Sequence, residues 1–394
     1  MKILVVAPTP FFSDRGTHIR ILEEARALEK LGHKITIATY HIGRDIDTEI
    51  QTTIDVRRIR RLIFWYHKLE AGPDWQKILL DIMLIRKTFN LARTQKPDII
   101  HGHLHEGILI GWIVQKLLFW RKMKLVADFH GSLTGEMLSH GYLKNGLNKI
   151  FSPMEKFINT LGDRAIASSW EGAENIKRSG RKDAPTVVLD GTDPDIFRLG
   201  RSKEEIRQEM ELPKDKFIVT YTGGLVSNKG IDFFLDALKL VLERRPDTFF
   251  LIGGFPADYV TKRIAQDNLF DSARLVSPLD YFHLPEFLLA ADIGVDPKST
   301  NTMQASGKTL NYMAAGLPVV CFDKLNNRQY LGDGAYFAPE ESAKGIAEGI
   351  LYFLNRPYEI KDKGAVNKER AKEFSWEKSG RLIDEIYKNL VQKA

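Results

Sequence analysis

One cysteine, Cys321, stands among 394 residues, so no disulfide can form within the chain; its apolar setting, "LPVVCF", reads as a buried, inert thiol suited to a reducing cytoplasm. Long apolar runs are equally scarce. The richest stretch, "GILIGWIVQKLLFW" from Gly107 to Trp120, is interrupted by Gln115 and Lys116 and falls short of the roughly 20 residues that cross a bilayer. No transmembrane helix is expected. The opening "MKILVVAPTPFF" has prolines where a secretory signal needs an unbroken apolar core and a cleavage site, so it reads as a buried first strand. Low-complexity tracts and short repeats are absent, which excludes a solenoid or a disordered chain. No nucleic-acid recognition motif accompanies the basic charge, and no nucleic-acid partner is expected.

What is present is an ordinary globular mixture, 43% hydrophobic and 27% charged, in a chain longer than one core usually organises. Strand and helix signals alternate along it. "KILVVAP" is a short β-rich run; "THIRILEEARALEKLG" then spaces Ile21, Leu22, Ala25 and Leu28 along one helical face and stops at Gly32. "HKITIATY", "KPDIIHGH" and "KLVADFHG" read as further strands, with a helical "IGWIVQKLLFW" between the last two. The pattern restarts after residue 190 with "KFIVTYTGG", the helical "GIDFFLDALKLVLERRP", "TFFLIGG", "LPEFLLAAD", "IGVDP", "KTLNYMAAG" and "LPVVCF". The Asp-, Gly- and Pro-rich "VVLDGTDPDIFRLG" reads as the linker. The expected fold class is α/β, with two Rossmann-like, doubly wound parallel-sheet domains, residues 1–190 and 191–375, facing a central cleft. In such sheets ligands sit beyond the carboxyl ends of the strands.

The net charge is +6, and the cationic excess falls within residues 1–190. Two clusters there join cations to large rings: Arg57, Arg58, Arg60, Arg61, Phe64 and Trp65 in one, Trp120, Arg121, Lys122 and Lys124 in the other. Cations attract anionic headgroups while Trp and Phe settle at the interface, so these clusters suit a membrane surface. A solvated face beside core aromatics fits the same residues. His101, His103 and His105 alternate and on a strand would share a face, imitating a metal site; they stand where the strand ends, and no metal is expected. The acidic "DGTDPD" tempts as a cation site but reads as a turn.

Chemistry concentrates in "YTGGLVSNKGIDFFLDAL". Gly223 and Gly224 make a turn at a strand end, and Lys229-Gly230 immediately precedes a helix. Backbone amides there, with the Lys229 ammonium, form a plausible diphosphate cradle. A strand-to-helix turn that needs glycine for geometry and lysine for solvation gives the same letters.

Over nearly the whole length the chain resembles glycosyltransferase family 4, the GT-B enzymes that move a sugar from a nucleotide donor with retention of anomeric configuration. The resemblance rests on "FFSDRGTHIRILEEARALEKLGHKITIATY", "PDIIHGH", "DFHGSLTGE", "AIASSWEGAENI", "LDGTDPDIF", "YTGGLVSNKG", "AADIGVDP" and "NYMAAGLPVV", in the family's order. It implies an acceptor-binding domain at 1–190, a nucleotide-sugar domain at 191–375, and a last helix at 376–394 that crosses back to the first domain. It implies no cofactor or metal, a glycan or lipid-linked acceptor, synthesis of surface polysaccharide or glycoconjugate, and a cytoplasmic location, at the inner face of the membrane if the basic clusters dock there.

Residue by residue, the resemblance makes His130 the catalytic-cleft histidine and Lys229 the donor-diphosphate contact. The partner arginine of the family falls at Gly224, where the side chain is absent; Lys308 or Arg328 is the replacement in reach. The family's Glu-x7-Glu pair falls at Met303 and Asn311. An asparagine carbonyl still accepts a ribose hydrogen bond, without charge assistance, and Gln304 offers hydrogen bonds to the sugar. Ser306, Gly307 and Thr309 are expected to present backbone amides to the diphosphate. Arg15, Gly16 and His18 form the acceptor or phosphate loop. Two other functions share these features: a non-catalytic nucleotide-sugar-binding scaffold and a GT-B nucleotide-sugar epimerase.

Overall fold

The computed structural model describes residues 1–69, 74–139, 148–299 and 306–392. They form two compact units, one made of Met1–Ser13, Thr17–Leu189 and Trp376–Ala394, the other of Asp14–Gly16 and Asp190–Ser375.

The first unit runs β1 (Lys2–Ala7), α1 (Gly16–Lys30), β2 (Lys34–Thr39), β3 (Asp55–Arg58), α2 (Gln76–Gln95), β4 (Ile99–His103), α3 (Leu104–Leu117), β5 (Lys124–Phe129), α4 (Leu133–Ser139), α5 (Asn148–Asn159), β6 (Arg164–Ala167), α6 (Trp170–Arg178) and β7 (Thr186–Val187). Its sheet is parallel throughout, in the order β3-β2-β1-β4-β5-β6-β7. The central strands are buried on both faces and so read as continuous apolar runs. Leu4, Val6, Ile100 and Leu125 meet Leu80 and Leu84 of α2 and Ile110 and Val114 of α3 on one side. Helix α1 stops where the sequence predicts, at Gly32, whose φ of +85° costs a glycine little.

The second unit runs α7 (Lys203–Glu209), β8 (Phe217–Gly224), α8 (Ile231–Leu242), β9 (Thr248–Phe255), α9 (Asp258–Gln266), β10 (Ala273–Val276), α10 (Leu284–Leu289), β11 (Ile293–Asp296), α11 (Gly307–Ala314), β12 (Val319–Phe322), α12 (Leu325–Leu331), β13 (Ala335–Ala338), α13 (Ala343–Leu354) and α14 (Pro357–Ala371). Its parallel sheet has the order β10-β9-β8-β11-β12-β13. Val219 and Tyr221 pack with Phe234, Phe250, Val295, Val320 and Ile350 in one core. Successive connections run one way from β8 and the other way from β11, so the topological switch lies between these two strands. Cys321 is buried on β12, and burial pushes its thiol up.

Helix α15 (Trp376–Gln392) belongs to the first unit. Gly380 lets it press on α1, since a Cβ there would lie 2.6 Å from the Ala27 Cβ. Asp384 meets His33 Nε2 at 2.9 Å, and the buried Tyr387 hydroxyl lies 2.6 Å from His101 Nδ1. The α/β class with two parallel sheets is as the sequence predicts. Among the described residues no helix is long and apolar enough to cross a membrane.

Candidate functional site

In the first unit, polar side chains gather at the carboxyl ends of β4 and β5. His101 and His103 alternate on β4, and their rings stack 4.3 Å apart. Asp128 pairs in register with His103 across β4 and β5 and is fully buried. Opposite, α1 contributes Arg20, whose Nη2 lies 3.3 Å from both Asp128 oxygens and 2.8 Å from Glu24. Burial alone would raise the Asp128 pKa; the Arg20 guanidinium and the hydrogen bond from His101 hold it well below the usual carboxylate range.

His130 follows β5 and completes the cluster. Its Nε2 lies 3.0 Å from His103 Nδ1, and its ring is only 6% exposed. Burial, with Arg20 and His101 adding to it against the pull of Asp128, drives His130 down to about 3. The ring is therefore neutral near pH 7. Burial first and the neighbouring His101 second push His103 well below the ordinary histidine range, so it too is neutral. The loop behind His130 is anchored by Glu155, which accepts from Ser132 Oγ and Leu133 N at 2.9 Å and from Thr134 N at 3.1 Å.

The histidine triplet does not share one face. Helix α3 begins at Leu104, so His105 leaves the strand and turns to Asn159, 3.2 Å away. Glu24, His101, His103 and Asp128 do offer ligand atoms within 4.8 Å of one another, but the Arg20 guanidinium already supplies the cation between the two carboxylates. Of the predicted loop, His18 is buried with Nδ1 2.7 Å from Ser13 Oγ. Gly16 is exposed, and a Cβ there would meet nothing within 4 Å, so the protein's own packing does not require this glycine. Arg15 is half-buried beside it.

In the second unit the site forms beyond β8, β11 and β12. Gly223 has φ +121°, and the Lys308 Nζ lies 3.6 Å from where its Cβ would be. Lys229 follows in a short 3₁₀ turn that Gly230 closes at φ +81°. A Cβ on Gly230 would sit 1.9 Å from the Pro297 carbonyl, so only glycine lets this turn lie against the end of β11. Lys308, on α11, is 3.5 Å from Asp296 Oδ1 and 3.9 Å from the Tyr221 ring centroid. Burial lowers Lys308 to about 8, with Lys229 and Lys324 adding to the effect and Asp296 opposing it.

Several expectations change here. Thr309 presents no free amide: its N–H donates to the Ser306 carbonyl at 3.0 Å and its hydroxyl to Asp296 at 3.3 Å. Ser306 is buried, whereas Gly307 is partly exposed, 3.5 Å from Asp190 measured from a would-be Cβ. Asn311 already accepts a hydrogen bond from Thr192 Oγ1, 3.2 Å away. Arg328 is no substitute for the side chain missing at Gly224, because it forks onto Asp323 at 2.5 and 2.6 Å and stacks on Phe337. Gln304 and Met303 lie outside the described residues. The sequence reading missed Arg20, Asp128, Lys298 and Lys324, whose partners come from other strands and helices. Of the "DGTDPD" carboxylates, Asp193 caps a turn by accepting from Asp195 N at 3.1 Å.

The basic aromatic clusters divide between core and surface. Ile59, Ile63 and Tyr66 bury against Leu80 and Leu84 of α2. That contact leaves Phe64 and Trp65 outward, 64% and 54% exposed, with their rings edge to face; Leu62, Ile78 and Ile82 are exposed as well. Arg58 does not join them; it donates to the Phe11 and Arg44 carbonyls at 3.1 and 2.8 Å. In the second cluster Phe119 and Trp120 are 74% and 59% exposed while Met123 is core.

Two family models match the chain, one described as Glycosyltransferase Family 4 over residues 15–196 and one as Glycosyl transferases group 1 over residues 202–373. The chain is 22% identical over 391 residues to the D-inositol 3-phosphate glycosyltransferase of Streptosporangium roseum, covering 94% of this chain and 88% of that one. Among solved structures, it resembles a sucrose-phosphate synthase from Thermosynechococcus elongatus with TM-score 0.83 and 18% identity, covering all of both chains. It also resembles Anabaena HepE in complex with UDP-glucose, with TM-score 0.77 and 17% identity over 99% of this chain and 100% of that one.

Proposed function

Since the chain belongs to glycosyltransferase family 4, a glycosyltransferase of GT-B type, we propose that it moves a sugar from a nucleotide-sugar donor to a glycan or lipid-linked acceptor, with retention of configuration, in surface polysaccharide or glycoconjugate synthesis. The observation that carries the reading is the end of β8, where Gly223 and Gly224 leave out side chains beside the Lys308 ammonium and the stem of Lys229. That geometry suits a diphosphate, and the developing negative charge on the leaving group is what those cations stabilise. Gly307 and Ser306 line the same end of α11, Asn311 keeps a second lone pair for the ribose, and Gln304 is assigned to the sugar. Residues 191–375 thus take the donor and residues 1–190 the acceptor, with Arg15, Gly16 and His18 at the acceptor or phosphate loop.

His130 takes the catalytic role, as a neutral hydrogen-bonding group for the transferred sugar. No metal or other cofactor enters the reaction. The acceptor proton goes to the departing phosphate oxygen, which suits a histidine too weakly basic to take it.

The test is binding of UDP, GDP or ADP, followed by thermal shift, because a ligand of the native state raises its melting temperature. Lys229→Ala is expected to weaken the bound nucleotide by about tenfold or more; an unchanged affinity removes Lys229 from the site. Asn311, with its carbonyl engaged by Thr192, favours a second reading, a scaffold that binds nucleotide-sugar without turnover. Binding with neither transfer nor slow donor hydrolysis supports the scaffold, and reversible isomerisation of the donor sugar supports an epimerase.

The acceptor reading extends to the membrane. Phe64, Trp65 and their apolar neighbours, rimmed by Arg57, Arg60 and Arg61, together with Trp120, Arg121, Lys122 and Lys124, suit an anionic cytoplasmic leaflet. The double variant Phe64→Ser, Trp65→Ser is expected to lose most of its co-sedimentation with phosphatidylglycerol-containing vesicles. If the wild-type protein stays in the supernatant with such vesicles at low salt, the surface is merely solvated.

A further inference from the structure

We propose that Lys298 and Lys324 join Lys229 and Lys308 in one four-lysine anion site that grips the donor diphosphate, taking over the charge that no side chain can supply at Gly224. The inference deepens the donor-binding reading above and rests on it.

The placement carries the argument. Three neighbouring strands, β8, β11 and β12, end side by side, and a lysine follows each: Lys229 five residues beyond Gly224, Lys298 two beyond Asp296, Lys324 two beyond Phe322. Lys308 reaches the same place from the first turn of α11. The contacts tie the segments together. The Gly230 turn lies against Pro297, immediately before Lys298; Lys308 pairs with Asp296 at 3.5 Å; and Lys324 donates to the Ser299 carbonyl. Lys298 is itself only 5% exposed.

Like charges gathered in a poorly solvated place repel one another. Lys298 shows the result: burial first, then Lys229, Lys324 and Lys308, push it well below the ordinary lysine range, against the pull of Asp296. Burial would raise the Asp296 pKa, but Lys308, Lys324 and Lys298 outweigh it and keep the carboxylate ionised among them. A doubly charged diphosphate placed over the strand ends would relieve that repulsion.

A proton linkage follows from Lys308. It faces Asp296 of β11, Lys229, Lys298 and Lys324 of the loops, and the Tyr221 ring. With its free-state value at about 8, the charged form that binds an anion already predominates by pH 7. Above pH 8 the free protein must take up a proton to bind, so affinity falls as pH rises, by up to tenfold per unit.

The experiment is titration calorimetry of the whole chain with UDP, GDP and ADP, the matching monophosphates and inorganic phosphate, at pH 7 and pH 9 in two buffers of different ionisation enthalpy. A nucleoside diphosphate is expected to bind at least tenfold more tightly than its monophosphate, with proton uptake at pH 9 that Lys308→Met abolishes. Lys298→Met and Lys324→Met should each weaken the diphosphate about tenfold while leaving the melting temperature of the unliganded protein unchanged or higher, since a repulsion has been removed. A merely structural lysine would do the reverse. If both variants bind within twofold of wild type while Lys229→Ala does not, the four-lysine site is overturned and the donor reading stands. If inorganic phosphate binds as tightly as every diphosphate, the cluster is a general anion sink and the proposal fails. If the wild type binds no nucleoside diphosphate, both fall together.

Discussion

Replacing Arg20 by methionine is expected to cost the protein about 3–5 kcal/mol, the range seen when one partner of a buried ion pair is removed. Arg20 lies between Asp128 and Glu24, all three essentially without solvent contact. Methionine fills much of the volume but leaves two carboxylates facing each other where water cannot reach. The cost comes from stranding those charges, so it should be largely recovered when Asp128→Asn and Glu24→Gln accompany Arg20→Met. Urea unfolding of the single and combined variants measures both quantities. A loss under about 1 kcal/mol for Arg20→Met would mean that the carboxylates find water or a proton, and that the cluster is not held by the guanidinium.

The second large effect is on turnover. His130→Ala is expected to lower kcat by about 10²-fold, the scale for losing one preorganised hydrogen-bonding group, with a much smaller change in the donor KM. The pH dependence discriminates how the ring works. Because burial and Arg20 hold His130 down at about 3, it stays neutral as pH falls from 8 to 5, and kcat should show no acid limb from this residue in that window. A general base titrating near 6.5 would produce one. Steady-state kinetics of the wild type and His130→Ala across pH 5–8 decide the point: an acid limb that vanishes in the variant sinks the neutral-ring assignment, and an unchanged kcat sinks the site assignment altogether.

How much of this could be read beforehand depends on where each residue's partners come from. Strands β1, β5, β8, β11 and β12 announce themselves because burial on both faces demands mostly apolar runs. Strands β3, β7, β10 and β13 do not. They are edges or near-edges of two to four residues, such as "DVRR" and "AYFA", half-buried and without a hydrophobic signature. Lys229 was legible because its glycine-flanked turn is local. Arg20 was not, because on α1 it looks like any surface cation, and only the pairing of β4 with β5 and the packing of α1 bring it to Asp128, 108 residues away. Lys298 and Lys324 are silent for the same reason: strand order makes them neighbours, and strand order is not written in spacing. His105 shows the opposite case, since the alternation continues in sequence although, as its place at the strand end suggests, the strand has already become a helix.

The origin of α15 downstream of the Asp190–Ser375 stretch bears on how the chain comes into being. A ribosome delivers His33 and His101 long before Tyr387 and Asp384, yet Tyr387 plugs against His101 and Asp384 binds His33 within the same unit. The sheet of β1 to β7 must therefore wait, with that flank open, through the synthesis of almost two hundred further residues. The contiguous stretch from Asp190 to Ser375 is under no such delay and can close its core while the earlier one is still incomplete. Domains usually fold in the order they emerge; here the unit that starts first is built to finish last, and during that interval the exposed flank is the part of the nascent protein with most need of shelter.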